Sequence, residues 1–212
     1  MFNYSEKETP MAIQLGKGSR INLQKEVPSL TKVRIGLGWK PQEFDNSADF
    51  DLDVTAFGLK IDAAGNPVLA GRKTDPDFMV FYGNLQSIDG AITHTGDNKT
   101  GEGEGDDETI TVDLSLLSNE VDEISFIVTI HEASERGQNF GQISKSWIAV
   151  YDDATGKEIG RYDLGEDFSS ETAVQMGSLY RREDGKWGFK AVGAGYNLGL
   201  AAFVKGYGGE VA

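Results

Sequence analysis

The chain has 212 residues, enough for one large all-β domain or two small ones, and it contains no cysteine. The lack of cysteine excludes disulfide bonds and thiolate metal sites. The formal net charge of −14 argues against nucleic-acid backbones and anionic membranes as partners, and it favours cations or basic proteins. No run of residues approaches the ~20 apolar residues of a membrane-spanning helix, so we expect no direct membrane insertion.

The first ten residues differ from the rest of the chain. They are mostly polar, include Glu6 and Glu8, and lack the apolar core of a secretion signal. No linker or change of composition divides the remainder. We therefore expect a flexible leader over residues 1–10, a single domain over residues 11–212 and a cytoplasmic location.

From Ile13 onward, short runs of alternating polar and apolar residues are separated by turn residues, which is the pattern of β-strands. Gly36 and Gly38 share one face of such a run, and glycines within a strand predict that another backbone packs close by. The alternation predicts strands over residues 33–39, 50–59, 67–69, 78–82, 109–114, 123–131, 146–151, 158–164, 172–181 and 186–192.

Helical signals are few. Residues 115–121 are predicted to form one helical turn capped by Ser115, and the apolar, alanine-rich residues 198–204 are predicted to form a closing helix. The predicted fold class is therefore all-β: a β-sandwich of two mainly antiparallel sheets with a few short helices. Trp39, Trp147 and Trp187 are expected in its core.

Two aspartates lie on one face of the predicted strand over residues 50–59. Asp51 and Asp53 alternate with Phe50, Leu52 and Val54, so their carboxylates point the same way and repel each other. One interpretation is a pair of cation ligands. The other is a pair of solvated aspartates on an edge strand.

The most unusual stretch is residues 96–108, in which six carboxylates are separated by glycines and opposed by one lysine. Carboxylates this close repel, so the stretch is either a solvated acidic loop or a loop that a cation holds together. Glycines allow sharp turns that aim carbonyl oxygens inward, and a cage of hard oxygens suits Ca²⁺. The pattern is not an EF-hand, because its third position is Lys99, its sixth is Glu102 and strands flank it. Further ligands must come from elsewhere, and Asp51 and Asp53 are the obvious donors.

His131 and Glu132 end the predicted strand over residues 123–131. Glu132 is a candidate ligand, and His131 is expected to be a packed or capping histidine. The spacing does not fit a zinc-protease helix, because Glu135 occupies the position of the second histidine. Neither His94 nor His131 pairs with a nucleophile in the sequence, so a serine-hydrolase site has little support.

Many short motifs occur in an order that resembles the TerD tellurite-resistance and stress-response family, from about Ile13 to Gly208. They include Gly36-Leu37-Gly38-Trp39, Phe50-Asp51-Leu52-Asp53, residues 96–108, Ile130-His131-Glu132-Ala133 and Arg161-Tyr162-Asp163-Leu164. The chain departs from the family at Lys40, where an acidic residue is usual, and at Gly83-Asn84, where the usual second asparagine is replaced.

The resemblance implies a calcium-binding β-sandwich in the bacterial cytoplasm that acts in tolerance of tellurite and other stresses. It also implies a complex with other Ter proteins at the inner face of the membrane, with peripheral membrane association through those partners. The residues and the resemblance together predict a non-enzymatic protein whose cofactor is Ca²⁺. The predicted ligands are Asp51, Asp53, Asp97, Asn98, Lys99, Gly103, Asp106, Asp107, Glu108 and Glu132, with Asn98, Lys99 and Gly103 supplying carbonyl or amide oxygens.

Two alternatives stay open at this point. One is a hydrolase with paired carboxylates, although the carboxylates here are crowded and bounded by glycines rather than set as an isolated acid–base pair. The other is an interaction module whose acidic face binds a basic partner without any metal. Calcium-dependent melting without hydrolytic turnover separates the main prediction from the hydrolase, and salt-sensitive binding without calcium would favour the interaction module.

Overall fold

A computed structural model of the chain describes residues 12–41, 50–95, 105–164 and 168–211. Over these ranges the chain forms strands, three short helices and a 3-10 turn at Phe140–Gln142. In chain order the elements are β1 (Ile13–Leu15), β2 (Arg20–Asn22), α1 (Leu23–Glu26), β3 (Lys32–Pro41), β4 (Leu52–Ile61), β5 (Pro67–Leu69), β6 (Met79–Val80), β7 (Ile92–His94), β8 (Glu108–Asp113), β9 (Glu123–Ile130), α2 (Ala133–Arg136), β10 (Ile143–Asp152), β11 (Lys157–Asp163), β12 (Ala173–Arg181), β13 (Trp187–Tyr196) and α3 (Leu200–Gly206).

The strands form two sheets that pack face to face. Sheet A has the order β1-β11-β10-β3-β8-β7, and sheet B has the order β2-β13-β12-β9-β4-β5, with β6 also paired to β4. The β1–β11 pair is parallel, whereas the pairs β10–β3, β3–β8, β4–β9 and β9–β12 are antiparallel. The predicted fold class, a β-sandwich of mainly antiparallel sheets with a few short helices, is confirmed.

The core lies between the two sheets because one face of each strand is apolar. Ile35 and Leu37 of β3 and Leu52 and Val54 of β4 are buried in one cluster, and the intervening residues point outward. Burial of such side chains is the main favourable term in folding.

The outer face of sheet B carries a second apolar cluster beneath α3. Phe57, Leu59 and Ile127 from the sheet pack with Phe203 and Val204 of the helix. The helix therefore covers part of sheet B, which explains why Ile127, on the outer face of β9, is apolar and buried. None of the helices in the described ranges has the length and apolar character needed to cross a membrane.

Several local predictions were wrong. Residues 115–121 form turns rather than a helical turn, because the Asp113 side chain accepts hydrogen bonds from the Ser115 backbone N–H and hydroxyl, and the Asp113 carbonyl accepts from Leu116 and Leu117. The strand predicted over residues 78–82 shortens to β6, since Phe81 pairs with Asn84 across a tight turn. Helix α1 was not predicted, and α3 confirms the closing helix.

Candidate functional site

The structure describes six of the ten predicted ligands. Asp97, Asn98, Lys99 and Gly103 lie outside the described residues, as does the predicted leader. The described ligands are Asp51, Asp53, Asp106, Asp107, Glu108 and Glu132. Four of them lie beside β4, Asp106 lies on the outer face of sheet A, and Asp107 lies between the two.

Asp51 and Asp53 lie at the beginning of β4. Leu52 and Val54 point into the core, so the predicted alternation is confirmed and both aspartates belong to the outer face of sheet B. Asp53 is only 7% exposed. The Oδ1 atom of Asp51 is buried and has no hydrogen-bond partner among the described residues. A buried carboxylate oxygen without a donor is costly, and such atoms call for a bound ligand or ion to explain them.

His131 and Glu132 follow β9, which pairs with β4, so they lie beside the two aspartates. The His131 backbone N–H donates to the Asp51 carbonyl at 2.8 Å, and His131 Nδ1 lies 3.5 Å from Asp53 Oδ2. The other ring nitrogen, Nε2, is 3.6 Å from Glu132 Oε1. His131 was expected to be a packed or capping histidine, and its ring does pack edge-on against Tyr82, with centroids 6.4 Å apart. The side chain is 37% exposed and also lies between the Asp53 and Glu132 carboxylates.

Glu132 adopts a left-handed backbone conformation with φ of 52°. This conformation costs a non-glycine residue of order 1–3 kcal/mol and persists where surrounding contacts enforce it, often at functional sites. The Glu132 carbonyl accepts the N–H groups of Glu135 and Arg136, and its Oε2 lies 3.2 Å from Arg136 Nη2. The strained backbone thus starts helix α2 and directs the carboxylate towards His131.

Glu108 connects the acidic stretch to β4. It is 2% exposed, its Oε2 accepts the Val54 N–H at 2.7 Å, and the same oxygen lies 3.8 Å from Nε2 of the buried His94. Glu108 begins β8 of sheet A and Val54 belongs to β4 of sheet B. This bond therefore brings the end of the acidic stretch next to Asp53. We call Asp51, Asp53, Glu108 and Glu132 the β4 carboxylates.

Asp107 lies in the chain between Asp106, on sheet A, and Glu108, which reaches β4. Its N–H donates to the Leu37 carbonyl at 2.7 Å, and its Oδ2 accepts the Trp39 N–H at 2.8 Å. Burial raises the pKa of Asp107, and the charge of Asp106 adds to the rise, while the Trp39 N–H opposes it. A cation at this carboxylate would oppose the effect of burial.

Asp106 points away from the β4 carboxylates, onto the outer face of sheet A. Its Oδ2 accepts from Arg34 Nη1 at 2.9 Å, and its Oδ1 accepts from Trp147 Nε1 at 3.2 Å and the Tyr151 hydroxyl at 3.1 Å. We call these four residues the Asp106 anchor. Burial raises the pKa of Tyr151, and the negative charges of Asp106 and Glu158 raise it further. Both carboxylate oxygens are satisfied by the protein, so Asp106 is the least suited of the described residues to serve as a ligand.

The Asp106 anchor was not predicted, although the glycines of β3 indicate it. A Cβ on Gly36 would lie 2.0 Å from Asp106 Oδ2, and a Cβ on Gly38 would lie 2.0 Å from the Trp147 ring. The glycines make room for side chains rather than for a backbone, so that prediction was wrong. Trp147 lies half-buried on the outer face of sheet A, unlike the buried Trp39 and Trp187, which confirm the prediction for those two.

The donor set suits a hard cation but is incomplete within the described ranges. There, no three His, Asp or Glu side chains lie close enough together to hold a metal ion by themselves. The orphan oxygen of Asp51 and the approach of Glu108 to β4 both fit a calcium site. The remaining oxygens would have to come from backbone carbonyls, water or residues 96–104.

Comparison with known proteins matches most of the chain to one family. The TerD domain model matches residues 11–207. The chain is 46% identical over 201 residues to General stress protein 16U of Bacillus subtilis (strain 168), which covers 95% of this chain and 100% of the relative. It is 48% identical over 198 residues to Tellurium resistance protein TerD of Serratia marcescens, which covers 93% and 98% respectively.

A solved structure shares the architecture. The crystal structure of SCO6318 from Streptomyces coelicolor A3(2), described as a homologue of telluride resistance protein (TerD), superimposes with a TM-score of 0.63 at 25% identity. The match covers 83% of this chain and 96% of that one. The shared architecture therefore extends over most of both chains.

Proposed function

Because the chain belongs to the TerD family, we propose that it is a non-enzymatic, calcium-binding protein of the bacterial stress response that contributes to tellurium tolerance. The names of its relatives, a general stress protein and a tellurium resistance protein, support the physiological part of this proposal. We also propose, from the family resemblance, that it works in the cytoplasm with other Ter proteins at the inner face of the membrane.

The bond between Glu108 and the Val54 N–H carries the calcium part of the proposal. It links two acidic segments that are 54 residues apart in sequence. Glu108, the last residue of the stretch 96–108, thereby contacts the backbone next to Asp53 of β4. Carboxylates gathered from separate strands repel one another unless a cation lies between them. The unpartnered Oδ1 of Asp51 offers that cation a buried oxygen.

Calcium fits these residues better than other common metals. Every predicted donor is an oxygen and the chain lacks cysteine, which disfavours soft transition metals. Calcium accepts about six to eight oxygens in flexible geometry, whereas Mg²⁺ demands a tight octahedron and retains its waters. Residues Asp51, Asp53, Asp107, Glu108 and Glu132 would hold the ion, and the ion would neutralise their mutual repulsion.

The test is thermal melting with excess calcium or with chelator. Calcium at about 100 times its dissociation constant stabilises the folded state by roughly 2.7 kcal/mol if it binds only that state. The double variant Asp51→Asn/Asp53→Asn keeps side-chain size and removes two charges, so we expect it to abolish most of the shift while the calcium-free protein melts at the same or a higher temperature.

Asp62→Asn/Asp184→Asn is the matched control. Both aspartates lie in turns, where backbone N–H groups of the same turn donate to their carboxylates and lower the pKa of Asp62. Neither is a predicted ligand, so calcium binding should be unchanged. Equal affinity for Ca²⁺ and Mg²⁺, or a control that loses calcium while the β4 variant retains it, would contradict the proposed site. Hydrolytic turnover that depends on the β4 carboxylates would instead identify the chain as an enzyme.

A further inference from the structure

A second feature of the outer face of sheet B is an open apolar groove beside α3. One wall is formed by Pro76, Met79 and Phe81, and the other by Leu200, Ala201 and Val204; we call it the α3 groove. It encloses about 760 Å³. Ligand-binding clefts in proteins usually have volumes of this order.

Exposed apolar side chains extend the α3 groove in both directions. Val211 is 44% exposed at one end. At the other end, Leu198 and Tyr82 are 43% and 47% exposed and line the neighbouring cavity that contains Asp53 and Glu132. Leu200 lines both cavities, so exposed apolar side chains border the groove and its neighbour. Exposed apolar patches rimmed by polar residues mark binding sites.

The wall formed by β6 cannot accept an added strand at the residues that face the groove. The Met79 N–H donates to the Pro76 carbonyl, and the Met79 carbonyl accepts from Asn84 Nδ2 at 2.7 Å. Phe81 and Asn84 exchange backbone hydrogen bonds with each other. Recognition therefore has to occur between side chains, as when an amphipathic helix lies in an apolar groove.

The charges around the groove define the polar side of that helix. Asp75 and Glu210 lie at its rim, and the Asp75 side chain is 92% exposed. The Arg72 guanidinium bonds Asp77 at 2.7 Å and stays 4.0 Å from Asp75, so it compensates Asp75 only weakly. Glu135 lies in the neighbouring cavity, and the whole chain carries a charge of −14. Complementary charges across such a rim speed association and select the partner.

We propose that the α3 groove binds an amphipathic helix of a partner protein, with apolar residues facing Met79, Phe81 and Ala201 and with lysines or arginines along its margins. The groove wall is pre-formed, because Phe203 packs edge-on against Tyr196 and Tyr207 packs on Phe57. Binding needs no metal, so this inference goes beyond the calcium proposal and stands independently of it.

The probe is a synthetic helical peptide of about 18 residues with leucines at i, i+3, i+4 and i+7 and lysines elsewhere. Its binding to the full chain is measured by fluorescence anisotropy, in calcium and in chelator, with equal affinity expected in both. One control peptide replaces each lysine with glutamate, and another shuffles the sequence so that the leucine stripe is lost. Both should bind at least tenfold more weakly.

Ala201→Glu places a charge on an exposed position inside the groove, where the bound helix would bury it. We expect at least a tenfold loss of affinity with an unchanged melting temperature. Ala154→Glu, an equal charge in the exposed turn between β10 and β11, should change affinity less than twofold. Val211→Glu gives a second groove variant if Ala201→Glu folds poorly.

The charges at the rim are tested separately. Asp75→Asn/Glu210→Gln should weaken binding about threefold and reduce its dependence on salt.

Equal effects of Ala201→Glu and Ala154→Glu would overturn the proposal, as would equal binding of the lysine and glutamate peptides. A peptide that does not bind, together with binding of the neutral probe N-phenylnaphthylamine that Ala201→Glu abolishes, would identify a site for small apolar molecules instead. A dimer in sedimentation that Ala201→Glu dissociates would identify a second copy of the chain as the occupant.

Discussion

The Asp106 anchor and the β4 carboxylates place the same chemical group in opposite settings. At the anchor, one carboxylate receives an arginine and two aromatic donors, and the Arg34 guanidinium also lies 3.8 Å from the centre of the Tyr151 ring. At β4, four carboxylates come from β4, β8 and the end of β9 without forming a three-ligand cluster within the described ranges. Their described partners are the Val54 N–H, two histidines and Arg136. The protein balances the first charge itself, whereas the second group is where we propose that a cation binds.

Two residues at the end of the acidic stretch, Asp106 and Glu108, have different roles. Asp106 fixes the end of residues 96–108 to sheet A, and Glu108, two residues later, reaches sheet B. Side chains two residues apart in a strand point to the same side of the sheet. Asp106 and Glu108 are two apart but point to different sheets, because β8 begins only at Glu108 and Asp106 lies before it. The end of the acidic stretch is therefore held between the two sheets before any ion is considered.

The largest effect is expected from Asp106→Ala, which breaks the anchor. The change removes the partner of Arg34, whose side chain is 27% exposed, and leaves the Trp147 and Tyr151 donors unsatisfied. We expect a loss of about 3 kcal/mol in the free energy of unfolding by urea, with the increase caused by calcium retained. Asp163→Ala, at an exposed position of β11, should cost less than about 0.5 kcal/mol. Loss of calcium binding without loss of stability would make Asp106 a ligand instead.

Gly36→Ala tests the same anchor from the other side. Its new methyl group would overlap the Asp106 carboxylate, so the carboxylate must leave its donors. Overpacking of this kind costs about 2 kcal/mol, measured by urea unfolding. Gly206→Ala is the control, because a Cβ there meets no atom within 4 Å and alanine favours the helix. Equal stability of the two variants would mean that the anchor adjusts freely.

Glu108→Gln tests whether the β4 carboxylates act as one site. The amide oxygen can still accept from the Val54 N–H, while the negative charge is lost. We expect calcium affinity, measured by titration calorimetry, to fall about tenfold, equivalent to 1.4 kcal/mol. The stability in chelator should change by less than about 1 kcal/mol. Unchanged affinity would show that Glu108 bridges the sheets without contacting the ion.

The smallest effect is expected from Tyr151→Phe, which removes one donor to Asp106 and costs about 1 kcal/mol at neutral pH. Its clearest signature is in alkali. Burial raises the pKa of Tyr151 above the ordinary value of 10.0, so in the unfolded chain the hydroxyl ionises first. The stabilising contribution is therefore complete below pH 10 and is lost as the pH rises through the folded pKa. The free energy of unfolding, measured from pH 9 to 11, should fall less steeply for Tyr151→Phe than for the parent chain. Parallel curves would contradict the raised pKa of Tyr151.

Alternation predicted most of the sandwich because each strand has one face in the core. The strand over residues 50–59 was predicted with the correct face inward, and so was the closing helix. Prediction failed where side chains compete with local propensity. Ser115 is a good helix cap, but its backbone N–H and hydroxyl both donate to the Asp113 carboxylate, so Ser115 lies inside a turn closed by Asp113 and not at a helix N-cap.

The candidate site was predictable in composition but not in arrangement. Glycines and carboxylates singled out residues 96–108, since clustered charge needs compensation wherever it lies. Glu108 at its end does reach β4, but a shared site with Asp51 and Asp53 stays a prediction. Nothing local could show that Asp106 and Glu108 reach different sheets, because that depends on Arg34 and Val54. The prediction that Asp97, Asn98, Lys99 and Gly103 are ligands stays a prediction.

The central position of β3 in sheet A has a consequence for how the chain folds. β3 pairs with β8 and with β10, and the Ser144 hydroxyl donates to the Lys40 carbonyl across 104 residues. Pairing over such distances must close large loops before it gains any energy, so folding is expected in milliseconds to seconds. During synthesis, β3 emerges long before β10, and its unpaired edges remain open to other chains until β10 arrives. The edge of β3 that pairs with β10 therefore stays without its partner strand until β7 and β8 have been made.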